Sequence, residues 1–124
     1  MDAPPAHVFI VEDDELLASA LSAQVETLGY RVAGTADTAE EAVRGVLQSR
    51  PAVVIMDLRL AGFGTGLDAA RSIRENSAVP IIFYTAHSND NALQQEAASM
   101  SNAQVLQKPV PEQILLAAIT GMLR

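Results

Sequence analysis

Apolar residues recur along the chain in two alternating patterns, short unbroken runs and longer segments with helical spacing. The run HVFIV (7–11) is rich in β-branched residues and gives way to acids, which predicts a buried strand. From Asp14 to Leu28 the apolar residues fall at Leu17, Leu21, Val25 and Leu28, a helical stripe that stops at Gly29. YRVAGTA (30–36) alternates like a strand. Thr38 can cap AEEAVRGVLQS, with Glu41 three residues on completing a capping box and Pro51 just past the end. AVVIM (52–56) is a third apolar run, followed by the glycine-spotted loop LAGFGTG and a helix from about Leu67 to Glu75. VPIIFYT (79–85) predicts a strand, NDNALQQEAAS (89–99) a helix and AQVLQ (103–107) a fifth strand. Pro111 suits the first turn of a closing helix that runs to Leu123.

Five strand–helix units in strict alternation call for a parallel sheet with helices on both faces, an α/β doubly wound fold with strand order 2-1-3-4-5. No linker, internal repeat or low-complexity stretch interrupts the pattern, so one domain is expected over residues 1–124.

Composition narrows the partners. The net charge of -7 disfavours nucleic acid and anionic membrane surfaces, which need a basic footprint, and suits a metal cation or a basic protein face. With no cysteine and only His7 and His87, thiol chemistry and histidine-rich metal clusters are excluded. The start MDAPPAHVF lacks a basic n-region and a long apolar segment, and ILLAAITGML (114–123) is too short to span a bilayer. A soluble cytoplasmic protein is the expectation.

In an open parallel sheet, ligands gather at the carboxyl ends of the strands near the point where strand order reverses. Behind the first strand stand Glu12, Asp13, Asp14 and Glu15; behind the third stands Asp57; the fourth ends in Thr85 and the fifth in Lys108, the only lysine among eight basic residues. Taken alone, an acidic cluster at a helix start is capping and dipole complementation, and Asp57 is a turn residue. Together they are parts for phosphoryl transfer. Clustered carboxylates call for a cation, and an all-oxygen set suits Mg²⁺. A carboxylate nucleophile forms an aspartyl phosphate, while a lysine and a hydroxyl meet charge on the transferred group.

The segments VFIVEDDELL, VVIMDLRL, IIFYTA and VLQKPV, in this order and spacing, resemble the receiver domain of two-component response regulators, over residues 7 to 123. The resemblance implies the flavodoxin-like receiver fold with Asp57 as phosphoacceptor, charged by a sensor histidine kinase or phosphotransfer protein. It implies Mg²⁺ held by Glu12, Asp13, Asp57 and the backbone carbonyl of Arg59. Thr85 becomes the switch hydroxyl and Lys108 the lysine that pairs with the phosphoryl group. The Lys108–Pro109 bond matches one that is usually cis in the family. Such a domain catalyses its own phosphorylation and dephosphorylation as a switch and is not a turnover enzyme.

Two departures from the family pattern, and one pair of positions that tends to vary in it, stand out. The proline usual four residues after the phosphoacceptor is Ala61, and AGFGTG carries one extra residue before Gly66, which together predict a looser loop. Val105 replaces the Tyr or Phe usual three residues before the lysine, while neighbouring Tyr84 reads as a structural strand aromatic. Arg59 and His87, each two residues past a key position, either overhang the site and tune phosphoryl lifetime or point into solvent.

The chain stops after the fifth helix, so no output domain is expected and signalling would run through protein contacts. Ile114, Leu115, Leu116, Ile119, Met122 and Leu123 exceed one core-facing stripe, so the fifth strand and closing helix are expected to offer a face to a downstream protein or to a second copy of the chain. The competing expectation is a pseudo-receiver that keeps the fold and binds partners without phosphorylation. GFGTG lacks dinucleotide-binding spacing, EDDEL lacks a D-x-D nucleophile motif, and the acidic first loop is unsuited to a flavin phosphate.

Overall fold

The computed structural model describes residues 6–123; the N-terminal stretch read for a leader lies in part outside them, as does Arg124. The elements follow in the expected order: β1 (His7–Val11), α1 (Glu15–Thr27), β2 (Arg31–Ala36), α2 (Ala39–Ser49), β3 (Val53–Met56), α3 (Gly66–Arg74), β4 (Ile81–Thr85), α4 (Asn91–Ser99), β5 (Ala103–Gln107) and α5 (Glu112–Met122). All strand pairs are parallel and the order is β2-β1-β3-β4-β5. The doubly wound α/β architecture is therefore the observed one.

Alternation along the strands builds two apolar layers. Phe9, Val11, Val54, Met56, Ile81 and Phe83 point to one face and pack with residues of α2, α3 and α4, among them Val46, Ile73 and Leu93. Val8, Ile10, Val53, Ile55, Ile82 and Tyr84 point to the other, against Leu21 and Val25 of α1 and Leu115 and Ile119 of α5. Burial of both faces explains why the central strands are nearly continuous apolar runs.

The differences from the sequence pattern lie at element ends and have local causes. β4 begins after Pro80, which has no N–H to give a ladder, although the Pro80 carbonyl still accepts from Val54 at 2.9 Å. Pro111 caps α5 from just outside instead of occupying its first turn. Thr38 caps α2 by accepting the Glu41 N–H at 3.1 Å, but the full capping box belongs to α3, where Thr65 and Asp68 bond reciprocally. The stripe on α1 is only half buried. Leu21 and Val25 enter the core, whereas Leu17 is 50% exposed and Leu16 83% exposed, because the helix start overhangs the sheet's carboxyl edge.

The apolar surplus on α5 is mostly absorbed. Leu115 and Ile119 are buried, and Met122 and Leu123 pack against the same layer, leaving Ile114 as the exposed large side chain. Among the described residues no helix is long and apolar enough to cross a membrane.

Candidate functional site

Strand register delivers the acids side by side. Val11 pairs with Met56 at the ends of β1 and β3, so the next residues, Glu12 and Asp57, emerge as neighbours. Their main chains are fixed as the sheet ends: the Asp57 N–H donates to Val11 O and the Glu12 N–H to Ala36 O, both at 2.9 Å. On the other side, the Lys108 N–H donates to Thr85 O at 3.0 Å. Three polar or charged residues are buried among the described residues, Glu12, Asp57 and Thr85, and all three stand at these strand ends. A core that buries carboxylates there must supply them with partners.

Lys108 is one partner. Its Nζ donates to Asp57 Oδ2 at 2.9 Å and bonds Glu12 Oε1 as well. Main-chain donors satisfy other lone pairs: Leu58 N–H donates to Asp57 Oδ1 at 2.7 Å and Asp14 N–H to Glu12 Oε2 at 3.2 Å. Burial pushes the Glu12 carboxyl above its ordinary range, outweighing the Lys108 hydrogen bond that draws it down, and the Asp57 charge adds to the rise. Burial alone would lower the Lys108 ammonium, but its hydrogen bonds to Glu12 and Asp57, with the charges behind them, hold it above its ordinary value.

The EDDE run divides its labour. Asp14 is the helix cap, its Oδ1 accepting from Leu16 and Leu17 at 2.9 and 3.1 Å, and Glu15 lies in the first turn. Glu12 and exposed Asp13 instead join Asp57, with one carboxylate oxygen of each within 4.8 Å of the others. That set of hard oxygens, one side of it open to solvent, fits Mg²⁺.

The extra-length loop, whose sequence predicts a looser segment, is tied to the fold at both ends. Ala61 bridges to Thr38 and its N–H donates to Asp37 O at 3.0 Å; Gly66 N–H donates to Leu58 O at 2.8 Å. Gly62 and Gly64 turn the chain with φ of 72° and 87°, and the inserted length bulges outward at Phe63, which is 99% exposed. Gly66 itself lies against the phosphoacceptor candidate, where a Cβ would stand 2.0 Å from the Asp57 carbonyl oxygen.

The remaining candidates sit less centrally. Thr85 Oγ1 accepts the His87 N–H at 3.1 Å and keeps its own proton to donate. The Arg59 and His87 side chains are exposed at the surface. The Lys108–Pro109 bond is cis. Val105 is partly buried in the α2–α4 layer. Sequence periodicity did not reveal a mostly apolar cavity of about 390 Å³ beside the carboxylates, lined by Leu17, Ala20, Leu21, Tyr84, Ala86 and Pro109 with Glu12 and Lys108 at its border. Its signal in the sequence was Leu17, an apolar position of the α1 stripe that the core does not take up.

A family profile for the response regulator receiver domain matches residues 8–120. The phyllosphere-induced regulator PhyR of Methylorubrum extorquens is 42% identical over 81 residues, 64% of this chain and 30% of that protein. The signal receiver domain of a modulated diguanylate cyclase from Desulfovibrio desulfuricans G20 superimposes with a TM-score of 0.85 at 35% identity, covering 96% of this chain and 94% of that one. The receiver domain of the sensor histidine kinase PA1611 from Pseudomonas aeruginosa PAO1, solved with magnesium coordinated in its active-site cleft, gives 0.83 at 26% identity over 96% and 98%. The chain spans about half or less of the length of the first curated relatives it matches, 30% and 51%.

Proposed function

The chain belongs to the response regulator receiver family, and from that premise we propose that it is a Mg²⁺-dependent phosphoacceptor whose Asp57 is charged by a sensor histidine kinase or phosphotransfer protein. The observation that carries this reading is the Lys108 ammonium bonded at once to Asp57 and Glu12, at a strand-end site that buries both carboxylates. A structural ion pair would need one carboxylate; two carboxylates, with Asp13 beside them, leave a net negative pocket suited to a further cation.

Glu12, Asp13, Asp57 and the Arg59 carbonyl would hold Mg²⁺, which when bound supplies charge neutralisation on the phosphoryl oxygens. An Asp57 carboxylate oxygen attacks phosphorus as the bond from phosphorus to the donor's imidazole nitrogen breaks, and the electron pair leaves with that nitrogen. Lys108 follows the charge from the carboxylate to the transferred group, a task suited to a compact ammonium on a flexible stem. The Thr85 hydroxyl donates to a phosphoryl oxygen. Water later attacks the acyl phosphate and restores Asp57, so the chain resets itself as a switch and turns over no other substrate.

Output runs through protein contacts. The PhyR of Bartonella quintana is described as an anti-anti-sigma factor, which supports a protein target here too. A second copy of this chain is a candidate for the β5–α5 face around Ile114; a dilution series by light scattering, with and without a phosphoryl mimic, removes it if only monomer is seen. The phosphoacceptor reading is tested by incubation with Mg²⁺ and phosphoramidate or acetyl phosphate. An acid-stable, base-labile mass gain that Asp57→Asn abolishes is expected; no gain from small donors or from any cognate kinase leaves the pseudo-receiver reading in its place.

A further inference from the structure

We infer that Tyr84 is a positioning residue of this site, fixing the turn that carries Lys108 and so aiming the ammonium at Asp57; the inference rests on the phosphoacceptor reading above. Lys108 reaches its carboxylates on a four-carbon stem with costly rotamer freedom, so its aim depends on how firmly its backbone is held. The Lys108 N–H is fixed by Thr85 O at 3.0 Å as β5 ends. Pro109 has no N–H to offer, so the next donor on which the turn can be anchored is that of Val110. That donor goes to the Tyr84 hydroxyl at 3.2 Å. The turn is thus held at its first and third residues by consecutive residues of β4, one through main chain and one through side chain.

The ring adds a second contact. Lys108 Nζ lies 5.8 Å from the Tyr84 ring centroid, within range for attraction between an ammonium and an aromatic face. Tyr84 is 8% exposed and forms part of the wall of the apolar cavity that borders Lys108. An aliphatic residue would fill the same β4 position, opposite Leu106, without needing a partner for a hydroxyl. Here the hydroxyl has one, and it belongs to the lysine's turn. A purely structural tyrosine would tie α5 to the sheet; a positioning tyrosine acts through Lys108.

A double-mutant cycle separates these roles, because Lys108 is the only lysine and labelled lysine reports on it without assignment. Tyr84→Phe keeps the ring and removes the hydroxyl. At saturating Mg²⁺ it should slow phosphorylation by phosphoramidate about three- to tenfold in the otherwise native chain and not at all in Lys108→Ala. In ¹³C-lysine protein, the Lys108 ε-methylene signal should move toward its free-lysine position in Tyr84→Phe and further in Tyr84→Leu. Equal slowing in both backgrounds, or an unmoved lysine signal, overturns the inference. Where the Lys108→Ala rate is too low to measure, the lysine signal decides. Should the native chain take no phosphoryl group, the phosphoacceptor reading fails, and the lysine signal still decides whether Tyr84 positions Lys108.

Discussion

The Lys108 ammonium lies 2.9 Å from Asp57 Oδ2, and the same nitrogen bonds Glu12, so one cation of the chain partly offsets the carboxylates that a metal would also seek. Two cations sharing this small negative site repel each other. Lys108→Ala should therefore tighten Mg²⁺ binding by roughly three- to tenfold at low ionic strength, and less in high salt. The same substitution should slow phosphorylation from a small donor at least about tenfold, since the charge arriving on phosphorus loses its counter-ion. Calorimetric titration and mass-shift kinetics on one preparation check both, and a parallel loss of metal affinity and rate would refute the competition.

Asp13 joins the carboxylate cluster from an exposed position, and no hydrogen bond of the fold among the described residues depends on its carboxylate. Asp13→Asn should leave the metal-free melting temperature nearly unchanged and abolish most of the rise produced by Mg²⁺. A ligand at about a hundred times its dissociation constant stabilises by about 2.7 kcal/mol, so the rise in the native chain should be several degrees. Chelation with EDTA should bring native and Asp13→Asn melting temperatures together. An equal Mg²⁺ response in both chains would remove Asp13 from the site.

Much of this was legible in the sequence because two periodicities, apolar runs and helical stripes, alternate without exception from His7 to Met122. Strand-end chemistry was legible too, because Glu12, Asp57, Thr85 and Lys108 each follow such a run by zero or one residue. What periodicity could not deliver was the use made of surplus apolar residues. Leu17 has the spacing of a core residue but lies on the part of α1 beyond the sheet edge, while Met122 and Leu123, which looked surplus, fold back onto the core. The anchoring of the loop at 60–66 leaves no local mark for a different reason. Its glycines raise backbone freedom locally, but the Ala61–Asp37 and Gly66–Leu58 hydrogen bonds that fasten it reach across the fold or back to the strand end. The partner of the Tyr84 hydroxyl, the Val110 N–H, is equally invisible to periodicity because it lies 26 residues away.

Gly66 and Gly121 make an opposed pair. A Cβ at Gly66 would meet the Asp57 carbonyl oxygen at 2.0 Å and Met56 Cγ at 2.9 Å, and the first of these is backbone at the base of the site. Gly66→Ala should cost about 2–4 kcal/mol and depress phosphorylation by displacing Asp57. Gly121 is exposed within α5 with nothing near its Cβ position, so Gly121→Ala should stabilise by roughly 0.5–1 kcal/mol with no change in phosphorylation. Urea denaturation with rate measurements on both variants tests the contrast, and a tolerated Gly66→Ala would show that the loop can yield.

The ion pair also sets an alkaline limit. Lys108 is held above its ordinary value of 10.5 against the downward pull of burial, chiefly by hydrogen bonds to Glu12 and Asp57. A folded-state value raised above the unfolded one means that the folded chain binds this proton more tightly. The stabilisation is therefore complete below pH 10.5 and is lost as pH climbs through the higher folded-state value. A difference between two chains that share every other group isolates the lysine. The measurement is the melting temperature of the native chain minus that of Lys108→Met, taken without metal between about pH 9 and about pH 11.5. That difference should shrink steadily across the window, because only the native chain has an ammonium to lose. A difference that stays constant would mean that the Lys108 contacts to Glu12 and Asp57 add nothing to folding stability.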